Sequence, residues 1–594
     1  MIGPQSMDNW RALRTLEVAG SQGERLSAWR DHRLWYMAET GYLVDGFENR
    51  PGVHPWQGEH VGKWLHAATL AWTMTGDVRL ASELERTVER LLATQLPDGY
   101  LGTYAPEATF VAVPENAPSA VPHDDVDAPR TKRRGGWDVW THRYNLYGLL
   151  TYENAFPSER VVDACRRMAD LLIEVYGPDG ADLTKYGTRK GISATTLLES
   201  VVMLHERTGE SKYLDFAEHI VGRIEANPDL ELMGTLLRGG SVVGPGEGKG
   251  YQLMANLLGF LRLYRCTGNR DYLDTARNGW REIRDRHILV TGGPWTRHRD
   301  YNGNRECFAR AEDFDPWQIS VEGCCDATWI QLCVQLFEIE GESQYLDAAE
   351  ITLYNSLHGH QHADGIRWCY FTAPNEASTK YVDTMHCCGS SMPRAMEMLA
   401  GHLAGEIDGR LAVCTLAPCT VEVSEALGGG TVVVEGEFPD GPTTRIRFKP
   451  KSPHTYTCEF RLPADTALRR VRVNGSYAEV ARNDRGFYAL RRQWRGGDVL
   501  AIEAEYELKV HLQASDASEG ERWVAFTHGP LALAQKISAS PRNEPFAGRP
   551  PEETLAMLEP STQGSFKVLG TDISLVPYHL ACSDSSGPRT YFKV

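Results

Sequence analysis

LHERTGESKYLDFA at residues 204–217, LYRCTGNRDYLDTA at 263–276 and LFEIEGESQYLDAA at 336–349 are three copies of one pattern. Each runs from an apolar helix end through a Gly and a polar bridge to Tyr-Leu-Asp, which opens the next helix. The Gly suits a left-handed C-cap, having no Cβ to clash there. A weaker copy, WTMTGDVRLASELE, occupies 72–85. The strong copies start 59 and 73 residues apart, a period that fits a helical hairpin plus its connection. Such hairpins stack so that neighbours bury one another's apolar faces, in an open solenoid or a closed ring. Two long insertions rich in Gly and Trp, Gly99–Trp137 and Thr291–Glu322, argue for a ring whose loops build a pocket.

Around the repeats the helical texture continues. Glu159 to Tyr176 carries Val161, Ala164, Met168, Leu171, Leu172 and Val175 on one face, which predicts an amphipathic helix that stops at Gly177. Beyond about residue 405 the texture changes. LAVCTLAPCTVEV, TVVVEGEF and VLAIEAEYEL read as short strands, separated by turn signals such as Asn474-Gly475 and Gly496-Gly497-Asp498. The predicted organisation is an all-α catalytic domain over 1–405 and a β-sandwich over 406–540. Closing strands follow over 541–594, completing the β region or forming a second small sandwich.

Composition narrows the function. The 594 residues are 42% apolar and 24% charged, a globular balance. Lys plus Arg number 62 against 79 Asp plus Glu, a net charge of −17, which argues against a nucleic-acid binder and against docking on anionic lipid. No apolar run has the length of a membrane span, and the first residues carry no apolar stretch of signal-peptide length. The expected location is the cytoplasm. Thirteen cysteines are too sparse for a disulfide scaffold, so clustered ones read as metal ligands or reactive thiols.

The densest reactive group lies between Arg305 and Arg394, in RECFARAEDFDPWQISVEGCCDAT and MHCCGSSMPRAMEM. If Glu322-Gly323-Cys324 is extended, its first and third side chains point the same way. Cys387 and Cys388 could complete a four-ligand zinc set from a second loop. The spacing matches no zinc finger, and free cysteine is often a small core hydrophobe, the simpler reading for Cys325 and Cys333. In WDVWTHRYNLYGLL, Trp140, His142 and Tyr144 offer aromatic faces and polar tips to a sugar, or else form an inner-helix core face. His60 and Arg394 are further candidates for substrate contact, Arg394 also for supporting a metal ligand.

These stretches are similar to the glycoside hydrolase family that contains bacterial β-L-arabinofuranosidases, family 127. WQGEHVGKWLHAA at Trp56, QLPDGYLGTY at Gln95, the repeats, Glu-Gly-Cys at Glu322 and CCGSSMPRAME at Cys387 resemble its landmarks. So do RVNG at Arg472, GFYALRRQWRGGDVL at Gly486 and THGPLALA at Thr527. The resemblance implies an (α/α)6 barrel followed by β-sandwich modules. It implies a retaining exo-glycosidase that acts on a small glycoside or oligosaccharide, with Zn2+ as cofactor. Its zinc ligands fall on Glu322, Cys324, Cys387 and Cys388, its cysteine nucleophile on Cys387, and its acid/base on Glu306.

There are departures. GKGYQLMANLLGF (248–260) and ISATTLLESVVM (192–203) lack the histidines that contact sugar hydroxyls in the characterised enzymes, and Gly-Ser-Ser follows the cysteine pair. The chain therefore reads as a divergent member whose sugar need not be L-arabinofuranose. Two rivals stand beside this reading: a sugar epimerase or unsaturated-uronyl hydrolase on the same toroid, and a non-catalytic carbohydrate binder with structural zinc. A homodimer through the β region is left open.

Overall fold

The computed structural model describes residues 8–113, 136–297, 306–514, 522–539, 543–561 and 564–594. Residues 114–135 and 298–305, which belong to the two long insertions, lie outside the described residues, as do 540–542 of the Pro-rich loop.

Among the described residues, twelve helices build the barrel. They are α1 (Gly20–Ala28), α2 (Glu59–Thr75), α3 (Val78–Ala93), α4 (Asp138–Ala155), α5 (Glu159–Tyr176), α6 (Leu198–Thr208), α7 (Ser211–Ala226), α8 (Gly250–Thr267), α9 (Arg270–Arg286), α10 (Gly323–Glu340), α11 (Ser343–Thr352) and α12 (Cys387–Ala400). The helices α2, α4, α6, α8, α10 and α12 form the inner ring; each packs on the next, and α12 closes against α2. The other six lie outside. This is the (α/α)6 barrel that the family resemblance implies, and it closes the stack of hairpins that the repeats predict.

The repeat is the turn from an inner helix to the outer helix that follows. Gly76, Gly209, Gly268 and Gly341 cap α2, α6, α8 and α10 in the left-handed conformation, with φ between 63° and 70°. The Tyr of each strong copy, Tyr213, Tyr272 and Tyr345, is buried one turn into the outer helix. The outer helices are amphipathic: α3 buries Leu80, Leu84, Val88 and Leu91 at helical spacing. The inner helices are buried nearly all round, since they meet neighbours on both sides and the barrel axis in front. Helix α5 has the predicted bounds, although Gly177 ends it in extended rather than left-handed backbone.

Because the repeats close one end of the barrel, the N-termini of the inner helices all open at the other end. The described parts of both insertions lie there too. One of them contributes β3 (Trp295–Arg297) and β4 (Ile319–Glu322), which pair with each other, and β4 pairs in turn with Phe371–Thr372. Strand β4 runs straight into α10.

The β region contains a six-stranded and a seven-stranded sheet, whose longest strands lie between Ala404 and Tyr506. The first residues of the chain join both. Strand β1 (Trp10–Ala12) pairs with Ala404–Ile407, and β2 (Thr15–Val18) pairs with Cys419–Glu422. The turn at Asn474-Gly475 has φ of 51° and 85°, the paired positive values of the hairpin turn its sequence announced. A separate eight-stranded sheet begins at Leu508 and ends at Lys593. Its Trp523, Ala525 and Tyr591 pack on Leu289, Trp295, Phe314, Ile319 and Val321, so this sheet braces the insertion that carries Glu306 and Glu322. Among the described residues no helix is long and apolar enough to cross a membrane.

Candidate active site

The site forms where the inner helices begin. Glu322 is the N-cap of α10 and Cys324 lies in its first turn; Cys387 is the first residue of α12 and Cys388 the second. One ligand atom from each of these four residues lies within 4.8 Å of the other three. Glu322, Cys324 and Cys388 are buried, while Cys387 keeps partial exposure. Helix N-termini expose unpaired N–H groups and the positive end of the helix dipole, which favours thiolate and carboxylate there. All thirteen cysteines are free thiols. The sulfurs of Cys387 and Cys388 are 3.7 Å apart, far beyond disulfide length.

The local sequence explains how α12 holds this position. His386 caps it, accepting the Gly389 N–H at 3.2 Å. Pro393, inside the helix, has no N–H for the Gly389 carbonyl. Arg33, reaching in beyond α1, donates its Nε–H to that carbonyl at 3.2 Å instead.

Charge is tightly managed around the cluster. The Lys249 ammonium donates to Glu306 Oε2 at 2.7 Å and to Glu322 Oε2 at 2.9 Å. The Tyr370 hydroxyl donates to Glu306 Oε1 at 3.0 Å. On the other side Lys63 pairs with Glu59 at 3.1 Å and reaches the Cys387 carbonyl at 3.4 Å. Burial would raise the Cys324 thiol, but hydrogen bonds from Cys387 and Cys388 and the Lys63 charge bring it down to about 5. The hydrogen bond to Cys324 pushes Cys387 up to about 12. Burial holds Glu322 up at about 8 against the pull of Lys249. Three thiols and a carboxylate this close thus do not all ionise by themselves; a divalent cation between them would let them do so.

The donor set fits such an ion. A tetrahedral centre with metal–sulfur bonds of about 2.3 Å has sulfur–sulfur edges near ~3.8 Å. The Cys387–Cys388 pair is already at 3.7 Å.

Of the other residues singled out by sequence, Trp140 adjoins the site; its indole N–H donates to Glu59. The Tyr144 ring lies 4.8 Å from the Lys63 ammonium. His60 bonds Ser390 at 2.9 Å and ties α2 to α12. Two other candidates for sugar contact hydrogen-bond within the protein. His142 accepts the Leu101 N–H at 3.1 Å and its other nitrogen meets the Asp138 carbonyl at 2.9 Å, so the ring braces the loop at 101. Arg394 is buried and donates to His66 at 2.8 Å and to Gln331 at 3.0 Å, within a polar network along the barrel axis. An inner helix presents its faces to the axis, to two neighbours and to the outer layer. Sequence period alone does not distinguish these directions. Cys333 is a core residue that accepts from Trp280 at 3.2 Å, whereas the Cys325 sulfur lies 3.6 Å from Glu322 Oε2.

The sequence reading missed Glu59, Lys63, Lys249 and Tyr370. Glu59 and Lys63 stand four apart in the WQGEHVGKW landmark, a legible ion-pair spacing. Lys249 is the N-cap of α8 in the GKGYQL stretch. Tyr370, between two-residue strands, carries no sequence signal.

The description "Beta-L-arabinofuranosidase, GH127 catalytic domain" matches residues 30–401, and the GH127 middle domain matches 411–506. The chain belongs to glycoside hydrolase family 127. It is a glycoside hydrolase, as its resemblance implied. A non-reducing end β-L-arabinofuranosidase of Bifidobacterium longum subsp. longum is 23% identical over 567 residues, covering 87% of this chain and 81% of that one. A family 127 β-arabinofuranosidase structure superposes with TM-score 0.75 at 17% identity, over 99% of this chain and 98% of the other. That of a GH127 β-L-arabinofuranosidase from Geobacillus stearothermophilus T6 gives 0.74 at 15% identity, over 97% and 99%. In this family 127 chain, the four converging donors sit within the matched catalytic domain.

Proposed function

We propose that this protein is a zinc-dependent, retaining exo-glycosidase that releases a terminal β-L-arabinofuranoside-like sugar, with Cys387 as nucleophile and Glu306 as acid/base. The observation that carries this reading is that four donors meet at one point and only Cys387 among them keeps exposure. A thiolate at a residue that keeps exposure can meet a substrate, which a fully sealed one cannot. The names of the relatives supply the sugar class.

Zinc bound by Glu322, Cys324, Cys387 and Cys388 would keep the sulfurs ionised at neutral pH. The Cys387 sulfur attacks the anomeric carbon; a C–S bond forms as the bond to the leaving oxygen breaks. Glu306 gives that oxygen its proton. Glu306, now a carboxylate, takes a proton from water. The water oxygen bonds the anomeric carbon, the C–S bond breaks and the thiolate is restored. Two inversions leave the configuration retained. Glu306 is 8% exposed and held at φ +62°, a conformation costly for a side-chain-bearing residue and typical of functional positions.

The test is Cys387→Ser with nitrophenyl furanosides and pyranosides, following the released anomer by NMR. The expected result is retention with an arabinofuranoside in the wild type and loss of turnover by at least about 10³-fold in the variant. Full activity of the variant, or an inverted product, removes Cys387 from this role.

A further inference from the structure

Lys249 has no part in the mechanism above, yet its ammonium touches both carboxylates of the site. It donates to Glu306 Oε2 at 2.7 Å and to Glu322 Oε2 at 2.9 Å, with its side chain only 7% exposed. Its backbone is tied to the same segment. Lys249 forms an antiparallel bridge with Cys307, and the Gly250 N–H donates to the Glu306 carbonyl at 3.1 Å. Tyr370 holds the other oxygen of Glu306. The carboxylate is thus gripped at both oxygens, and one grip is shared with the metal-binding set.

We infer that Lys249 is a positioning residue that fixes the spacing between the proton donor Glu306 and the sulfur cluster by bridging Glu306 to Glu322. This rests on the roles proposed above for Glu306 and Cys387. The physical need is plain. A retaining glycosidase works only when donor and nucleophile stand at one short separation across the glycosidic bond. Glu306 leaves a strained backbone on a flexible side chain, and Glu322 leaves the end of β4, further along the same insertion. Nothing in the covalent chain sets the distance between their carboxylates; a single ammonium bonded to both does. A displacement of about 1 Å at such a point costs about 10²-fold in rate.

The test compares Lys249→Met, Glu306→Gln and the double variant on two glycosides of the same sugar, one with an alkyl and one with a dinitrophenyl leaving group. Zinc affinity is measured alongside by competition with a chromophoric chelator. Lys249→Met should lower kcat/KM about 10²-fold for the alkyl glycoside and less than about 5-fold for the dinitrophenyl one, which needs little protonation. The double variant should be no slower on the alkyl glycoside than Glu306→Gln, because Lys249 acts through that group. Zinc should bind Lys249→Met as tightly as wild type or tighter, because a competing cation has left Glu322. Equal losses on both glycosides, additive losses in the double variant, or weakened zinc binding would each overturn the assignment, since a general structural defect produces all three. Wild-type protein that binds no zinc and cleaves neither glycoside would instead refute the reading of the site itself.

Discussion

Substituting Gly62 by Ala tests how closely the site depends on the crossing of α2 and α4. A methyl group at Gly62 would lie 1.9 Å from the Tyr144 carbonyl oxygen and 2.3 Å from its carbon, with 3.0 Å the floor for real contacts. The obstacle is backbone, so no rotamer change relieves it. Gly148 faces the same crossing, where a methyl would meet the Gly62 carbonyl oxygen at 2.5 Å. The two helices would have to part by about 1 Å, and the overpacking should cost about 3 kcal/mol. Parting them separates the Glu59–Lys63 pair on α2 from Trp140 and Tyr144 on α4. It also strains the His60–Ser390 bond that ties α2 to α12, where Cys387 begins. From a shift of that size kcat/KM should fall about 10²-fold. The assays are thermal unfolding by circular dichroism and the arabinofuranoside kinetics described above. A Gly62→Ala protein that melts with the wild type and keeps its kcat/KM would refute the close crossing and its link to the site.

Two further outcomes follow from the same physics. Removing metal with a strong chelator should abolish turnover and lower stability by about 3 kcal/mol relative to protein with free zinc at a hundredfold excess over its Kd, both restored by zinc; activity and melting unmoved by chelation would exclude a metal at Cys324, Cys387 and Cys388. His402 and Glu338, 3.0 Å apart, link the loop after α12 to the end of α10. Although burial opposes charge on both, their hydrogen bond raises His402 above its ordinary range, and that bond together with the Arg265 charge holds Glu338 at about 2. A raised imidazole adds stability that is whole below about pH 6.5 and is lost as pH rises through its folded value, while a depressed carboxylate adds stability above about pH 4.3 that is lost as pH falls towards its own. His402→Gln should therefore lower the melting temperature most near pH 5.5 and progressively less above pH 7; a pH-independent difference would contradict the ion pair.

Much of the fold is legible in the sequence because it is local. A Gly that must turn left-handed after an apolar helix end, repeated at Gly76, Gly209, Gly268 and Gly341, marks the same turn each time. The paired turn residues Asn474 and Gly475 likewise announce their hairpin. The metal-binding set is legible only in part. Glu322-Gly323-Cys324 and Cys387-Cys388 stand out as a donor set of the kind zinc takes, but core packing explains free cysteines equally well, and it was the family resemblance that assigned all four as ligands. Strands β1 and β2 are not legible. They are three and four residues long and gain their place only by pairing with strands some 400 residues away. The roles of His142 and Arg394 are not legible either, since a buried polar side chain on an inner helix can point to the axis or to a neighbouring loop with the same periodicity.

The sequence by itself determined the stacked helical hairpins and the β region after them, and offered the four donors as candidates, because capping, periodicity and side-chain chemistry are properties of neighbouring residues. Only the tertiary structure decided that the inner helices all begin at the mouth where those donors meet. It alone placed Lys249 between Glu306 and Glu322, and set His142 between the loop at 101 and the Asp138 carbonyl. Those facts depend on the direction in which each side chain leaves its helix and on what the closing of the ring brings opposite it, and neither is written in residue spacing.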